Sequence, residues 1–160
     1  MTKRWTVVDT PVGPLGLAVD DIGLCRVLFG AQDVPVEVDP LLDEVAEQLR
    51  AYFAGELVEF TVPVSIRRGS DFERAVWAQL SRIPYGETHT YGEVARAVGE
   101  PDAARAVGMA CNRNPVGVVV PCHRVVGAGG KLVGFGGGLP AKRHLLELEA
   151  RVRMEHDWLA

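Results

Sequence analysis

Two capping boxes fix where helices begin in the second half of this chain. Ser70 is followed three residues later by Glu73, and Thr90 is followed in the same way by Glu93. In this pattern the hydroxyl accepts a hydrogen bond from the third helical N–H, and the carboxylate accepts one from the N–H of the cap residue. We therefore predict a helix over residues 71–82 and a shorter helix that begins after Thr90 and closes at Gly99.

A third helix is predicted after the turn at residues 100–102, with Asp102 as its N-cap and its end near Cys111. Two short helices joined by a glycine-containing turn have the proportions of a helix-turn-helix, although many helical hairpins bind nothing. Arg105 is the one long cation among small residues, so this helix could enter the DNA minor groove or pack closely in a core. The small residues are Ala103, Ala104, Ala106 and Gly108.

The first part of the chain alternates apolar residues with turn-forming residues, which predicts short strands over residues 5–8, 15–19 and 24–29. An apolar stripe predicts a helix over 41–53, and alternation predicts another strand over 60–66. We expect an α+β fold. A small strand-plus-helix domain would occupy residues 1–68, and a mostly helical domain with the helix-turn-helix and the reactive cysteine would occupy residues 69–160.

The run Pro121-Cys122-His123-Arg124 places a thiol beside an imidazole and a guanidinium. A neighbouring base and a nearby cation favour the thiolate, which is the nucleophilic form of cysteine. For an arbitrary Cys-His pair, a buried small residue next to a surface histidine is the more ordinary interpretation. The proline before the pair and the glycine-rich loop over residues 127–138 favour a reactive site.

Several motifs in order resemble those of the 6-O-alkylguanine-DNA alkyltransferases, also called methylated-DNA–protein-cysteine methyltransferases. The resemblance covers residues 72–149 and is looser before residue 70. It implies DNA repair by direct reversal, in which an alkyl group moves irreversibly and once from 6-O-alkylguanine in duplex DNA, or from 4-O-alkylthymine, to Cys122. The segments that carry it are Ile83–Thr88, Thr90–Ala95, Ala103–Gly108, Asn114–Pro115, Pro121–Gly127 and Gly137–Leu139.

The resemblance also implies a role for each catalytic residue. His123 would deprotonate Cys122 through a water molecule, and Glu149 would orient the imidazole. Tyr91 would donate to the leaving purine and contact a phosphate, and Asn114 would hold the active-site turn. Without the resemblance, Glu149 is a solvated helix residue, Tyr91 a helix-start aromatic and Asn114 an ordinary turn residue.

For DNA, the resemblance assigns Arg105 to the gap left when the damaged nucleotide rotates out of the duplex. The small residues of the third helix would face the minor groove, and Tyr91 and Arg124 belong to the same DNA-binding set. The substrate pocket would comprise Val125, Gly136, Phe135 and Gly117. Phe135 replaces a common tyrosine of the family, and Gly117 replaces a proline or alanine, which leaves room for alkyl groups larger than methyl.

The formal net charge of −4 argues at first against a DNA partner. Its distribution argues the other way, because residues 1–60 hold 4 basic and 11 acidic residues, whereas residues 101–144 hold six cations and one acid. A basic face on an acidic protein is compatible with phosphate binding, although a chance fluctuation in surface charge would give the same count. The six cations are Arg105, Arg113, Arg124, Lys131, Lys142 and Arg143.

No apolar run is long enough to span a bilayer, and the N-terminus lacks a signal-peptide pattern, so we expect a cytoplasmic protein without a membrane partner. The three scattered cysteines predict neither a disulfide framework nor a metal site, and no cofactor is expected. We expect a monomer that binds alkylated duplex DNA, cooperatively or singly. A cysteine hydrolase and a DNA-binding regulator without catalysis remain as alternatives.

Overall fold

A computed structural model describes residues 2–31 and 33–157 of the chain. The chain divides into two compact units, residues 1–68 and residues 69–160. Within the described residues, no helix combines the length and the apolar character needed to cross a membrane.

The first unit is an antiparallel meander covered by one helix. Strands β1 (Arg4–Thr10), β2 (Gly13–Val19) and β3 (Leu24–Phe29) pair in chain order, and helix α1 (Pro40–Phe53) packs against β1 and β2. Asp39 caps α1 by accepting from the backbone N–H groups of residues 41 and 42. The three predicted strands and the predicted helix are confirmed. The largest fully buried side chains of this unit are Leu15, Leu17, Leu24, Leu42, Leu49 and Tyr52.

The strand predicted over residues 60–66 is wrong. Only an isolated parallel bridge joins Val64 to Leu24, with the Leu24 N–H bonded to the carbonyl of Pro63 at 2.8 Å. Pro63 has no N–H to extend a ladder. Ser65 can be buried although it is polar, because its hydroxyl donates to the Asp20 carboxylate at 2.7 Å. A polar contact therefore replaces the apolar alternation that predicted the strand.

The second unit is mostly helical, and this confirms the predicted fold class. Its helices are α2 (Asp71–Leu80), α3 (Tyr91–Ala97), α4 (Ala104–Asn112) and α5 (Leu139–Asp157). Strands β4 (His89–Thr90) and β5 (Val125–Val126) form a short parallel pair, and 3-10 turns cover Cys122–Arg124 and Ala128–Gly130. The two short helices α3 and α4 contact each other, and α2 contacts both.

Both capping boxes are confirmed, with reciprocal side-chain bonds at Ser70 and Thr90. The N-cap predicted at Asp102 is wrong, because Ala103 occupies the cap position and α4 has no side-chain cap. The Ala103 N–H donates to the carbonyl of Glu100 at 2.9 Å, which closes a turn and leaves Asp102 exposed within it. Helix α4 therefore begins at Ala104, one residue later than an N-cap at Asp102 would give.

Candidate active site

A tight turn held by Asn114 leads into Cys122. Pro121 has φ −83° and ψ 66°, and the Cys122 N–H donates to the carbonyl of Val120 at 2.8 Å, as in an inverse γ-turn. The Asn114 side chain donates to the same carbonyl at 2.9 Å and accepts from the Val116 N–H at 3.0 Å. Asn114 therefore cross-links the two ends of the loop that carries the cysteine.

Within this loop, Val118 has a φ of +72° and is buried. A β-branched residue is rarely found in the left-handed region, and holding it there costs on the order of 1–3 kcal/mol. The surrounding contacts, including the Asn114 bonds, must supply that energy. The loop before Cys122 is therefore held in an unfavourable conformation by its neighbours.

The thiol of Cys122 is buried, with 6% of the residue exposed. Burial raises the pKa of Cys122, and a hydrogen bond from Asn114 and the positive charge of Lys142 oppose that rise in part. The resting sulfur is accordingly a protonated thiol, so nucleophilic chemistry requires a base that removes its proton.

The candidate for that base is His123, the residue that follows Cys122 in the chain. Its Nε2 lies 2.7 Å from Oε2 of Glu149, and both side chains are buried. Glu149 is ionised, so it only accepts, and the proton must be on Nε2. The Nδ1 atom therefore carries the lone pair, and it has no hydrogen-bond partner among the described residues.

The charge states of the pair fit this assignment. Burial lowers the pKa of His123 more than the hydrogen bond and charge of Glu149 raise it, so the imidazole is neutral. Burial alone would raise the pKa of Glu149, but His123 and then Arg124 bring it far below its usual range. A neutral imidazole oriented by a carboxylate is a competent proton acceptor.

Arg124 does not face solvent, and this corrects its place in the DNA-binding set. Its Nε and Nη2 donate to the two carboxylate oxygens of Glu149 at 2.8 and 3.1 Å, and its Nη1 donates to the Ile83 carbonyl at 2.7 Å. The guanidinium carbon also lies 5.6 Å from the centre of the Tyr85 ring. A buried guanidinium bonded on three nitrogens is unavailable to a phosphate.

Lys142 is a site residue that the sequence interpretation missed. The residue is 1% exposed, and its Nζ lies 3.3 Å from the Tyr91 hydroxyl and 3.1 and 3.4 Å from the carbonyls of Val133 and Gly134. Lys142 shares the buried face of α5 with Glu149, seven residues later. That spacing is the signal that could have identified it.

The tyrosine of the site lies at the start of α3. Tyr91 donates from its hydroxyl to the Val133 carbonyl at 2.9 Å, and burial raises its pKa to about 12. A β-carbon added at Gly108 would lie 3.7 Å from the Tyr91 ring. Tyr91 therefore lies between α4 and the loop that precedes α5.

The remaining DNA-binding candidates lie on or just before α4. Arg105 and Ala106 are exposed, whereas Ala103, Ala104 and Gly108 are half-buried. Of the six cations counted over residues 101–144, Arg124 and Lys142 are buried, and Arg113 pairs with Glu73 at 3.2 Å. The basic face is therefore weaker than the sequence count indicated.

The predicted pocket residues differ in exposure. Val125 is fully buried in β5, and Gly117 is buried and bridged to Val120. Phe135 is half-buried and Gly136 is exposed in the loop before α5. Among the described residues, no group of three or more His, Cys, Asp or Glu side chains could hold a metal ion.

Comparison with known families accounts for both units. Residues 71–151 match the DNA binding domain of 6-O-methylguanine DNA methyltransferase, and residues 3–66 match the ribonuclease-like domain of the same protein. The chain belongs to the 6-O-methylguanine DNA methyltransferase family. The resemblance stated from the sequence motifs is thereby confirmed.

Relatives within this family align along nearly the whole chain. A methylated-DNA–protein-cysteine methyltransferase of Methanosarcina acetivorans is 49% identical, over 91% of this chain and 97% of its own. The Mycobacterium tuberculosis protein of the same name is 47% identical, over 91% and 92%.

Solved structures of M. tuberculosis family members share the fold. The O6-methylguanine methyltransferase of that organism aligns with a TM-score of 0.85 and 46% identity, over 94% of each chain. The M. tuberculosis OGT in complex with DNA aligns with a TM-score of 0.84 and 46% identity, over 92% of this chain and 93% of its own.

Proposed function

We propose that this chain repairs alkylated DNA by direct reversal, moving the alkyl group of 6-O-alkylguanine to its own Cys122 in a single irreversible reaction. A bond forms between Sγ and the alkyl carbon as the bond from that carbon to the purine oxygen breaks. The thiol proton passes to Nδ1 of His123 through a water molecule, and the purine is protonated as it leaves. The thioether product is stable, so each molecule acts once.

One observation carries the proposal: the hydrogen bond from His123 Nε2 to Glu149 Oε2, which leaves Nδ1 as an acceptor without a partner among the described residues, on the residue that follows the buried Cys122 in the chain. The Tyr91 hydroxyl leaves its bond to the Val133 carbonyl, supplies the proton for the leaving group and is reprotonated from solvent, and Asn114 fixes the cysteine loop. The 4-O-alkyl group of thymine carries the same kind of carbon–oxygen bond and is a second substrate of the same chemistry.

In this proposal the chain binds DNA through α4. Exposed Arg105 projects beside the small side chain of Ala106, so the helix can approach a minor groove while the arginine occupies the gap of an extruded nucleotide. Only four cations of the segment are exposed, which supports moderate and salt-sensitive affinity. The chain acts as a monomer in the cytoplasm under this proposal.

Mass spectrometry after incubation with a duplex containing 6-O-methylguanine tests the proposal. We expect one methyl group on Cys122, one equivalent of repaired guanine per protein, and no adduct in Cys122→Ser, which should still bind the duplex. Turnover without an adduct would indicate a hydrolase. Binding without any change in mass would indicate a regulator, and either result overturns the proposal.

A further inference from the structure

A buried arginine supports the catalytic carboxylate of the site. The Arg124 guanidinium contacts both oxygens of Glu149, at 2.8 and 3.1 Å, and the Ile83 carbonyl at 2.7 Å. Burying a charge is unfavourable unless it is paired with good geometry, and this arginine is paired on both edges. Its Nη2 and the Nε2 of His123 contact the same oxygen of Glu149, so its charge lies close to the imidazole.

We propose that Arg124 is a positioning residue for the transfer reaction: it holds Glu149 in the orientation that fixes the His123 tautomer, and its charge adds to burial in keeping the imidazole neutral and able to accept the Cys122 proton. This inference rests on the proposed function. In this inference Arg124 acts on the general base, His123, and does not contact DNA.

The first part of the inference follows from how the carboxylate is shared. Oε2 of Glu149 contacts His123 Nε2 and Arg124 Nη2, whereas Oε1 accepts from Arg124 Nε and from the Gly86 N–H at 3.1 Å. Two parallel contacts from a planar fork restrict rotation of the carboxylate in a way that a single ammonium cannot. Rotation of Glu149 would move its Oε2 away from the imidazole.

The second part follows from the charges around the imidazole. The charged groups that act on it are Glu149 and Lys142 of α5 and Arg124 of the 3-10 turn. Glu149 raises the pKa of His123, whereas burial, Arg124 and Lys142 lower it. Without Arg124, less would oppose the rise that Glu149 causes in the pKa of His123, and more of the imidazole would be protonated at neutral pH. A protonated Nδ1 cannot accept from the thiol.

Two substitutions separate orientation from charge. Arg124→Met removes the charge and keeps most of the side-chain volume, whereas Arg124→Lys keeps a charge but loses the planar fork. The same chemical change at Arg50→Met, on the exposed side of α1, is the matched control. The measurement is the rate of a single transfer from a methylated duplex, followed across pH. The duplex is saturating, so differences in DNA affinity do not affect the rate.

For Arg124→Met we expect the acidic limb of the pH–rate profile to move upward by about one pH unit, since the imidazole then holds its proton more tightly. For Arg124→Lys we expect the limb to stay near that of the parent, with a maximal rate lower by about 10- to 100-fold because the base is misaligned. A merely structural arginine would lower folding stability in both variants and leave the limb unmoved.

Titration of isotopically labelled histidines by NMR gives an independent readout. His123 is identified among the four histidines from the spectrum of His123→Gln. Its imidazole should remain neutral to lower pH in the parent and in Arg124→Lys than in Arg124→Met. If Arg124→Met does not fold, the Arg124→Lys rates decide, because a maximal rate equal to that of the parent overturns the inference.

The inference and the proposed function fail in different ways. A parent protein that forms no Cys122 adduct with the methylated duplex refutes the function itself. A parent that forms the adduct, together with an Arg124→Met variant whose acidic limb does not move, refutes only the role of Arg124.

Discussion

Nζ of Lys142 lies 3.3 Å from the hydroxyl of Tyr91, and both groups reach the carbonyl oxygen of Val133. Burial raises the pKa of Tyr91 to about 12 and lowers the pKa of Lys142. The tyrosine therefore keeps its proton at neutral pH and has a cation beside it. Once it gives up its bond to the Val133 carbonyl, this hydroxyl can donate to a purine as the exocyclic oxygen leaves.

Tyr91→Phe should slow alkyl transfer by about 100-fold, with duplex and free 6-O-benzylguanine affected alike, because the proton donor is lost in both reactions. The ring would remain against Gly108, so we expect little change in the unfolding midpoint. Transfer rates by quenched-flow assay and thermal unfolding check this. A loss confined to the duplex would show instead that the hydroxyl serves DNA contact alone.

Arg105→Ala should slow repair in duplex DNA much more than reaction with the free base, because only the duplex requires nucleotide extrusion. The slope of log affinity against log salt concentration should also become shallower by about one, because one cation is lost from the DNA interface. The control is Arg96→Ala, which removes an exposed arginine from α3. Equal losses on the two substrates would assign Arg105 to folding or chemistry.

Asp20→Asn should lower the free energy of unfolding by about 2 kcal/mol, because an amide cannot accept from all the donors around this buried carboxylate. The donors are the Ser65 hydroxyl, the backbone N–H groups of Ile22 and Gly23, and the Arg67 guanidinium. The control is Asp21→Asn, whose side chain is 71% exposed. Urea unfolding of both variants measures the difference.

The Asp20 contribution should also depend on pH in a defined window. Burial would raise the pKa of Asp20, but its hydrogen bonds outweigh burial and lower it from 3.8 to about 2. A depressed folded-state pKa gives stability that is complete above 3.8 and is lost as the pH falls through about 2. The difference between parent and Asp20→Asn should shrink across that interval, and a constant difference would contradict the assignment.

Gly117→Pro should reduce the transfer rate for alkyl groups larger than methyl relative to that for methyl, because a ring would add bulk to the buried loop that carries the cysteine. Gly117 does not adopt a left-handed backbone conformation, so other residues are not excluded by its φ angle. Gly117→Ala is the graded control. An unchanged ratio of the two rates in both variants would mean that this position does not set pocket size.

Local signals in the sequence predicted local structure well. The capping boxes at Ser70 and Thr90 determine two helix starts through contacts three residues apart, and both form as predicted. Asp102 has an equally good capping side chain, but a backbone bond from Ala103 to Glu100 takes its place. The bonds from Ser65 and Leu24 that replace the strand at 60–66 join residues distant in sequence, which periodicity does not register.

The sequence predicted those site residues whose chemistry is evident from the residue type and its neighbours in the chain. Cys122 and His123 are adjacent in the chain, whereas the contact of His123 with Glu149 spans 26 residues and was expected only through the family resemblance. Charge counting treated Arg124 and Lys142 as surface cations, because a sequence does not show which charges find buried partners. In the structure, Arg124 donates to the Glu149 carboxylate, and Lys142 contacts the Tyr91 hydroxyl and the loop carbonyls.

Burial raises the pKa of Cys25, of Cys122 and of Cys111, the last to about 12. Small electrophiles in solution react with thiolates, so the resting protein offers them little reactive sulfur. For a protein that forms one stable thioether, a chance encounter with a free alkylating agent would be a permanent loss of activity. Inertness at rest would therefore extend the working life of each molecule until a damaged base enters the pocket and the imidazole takes the proton.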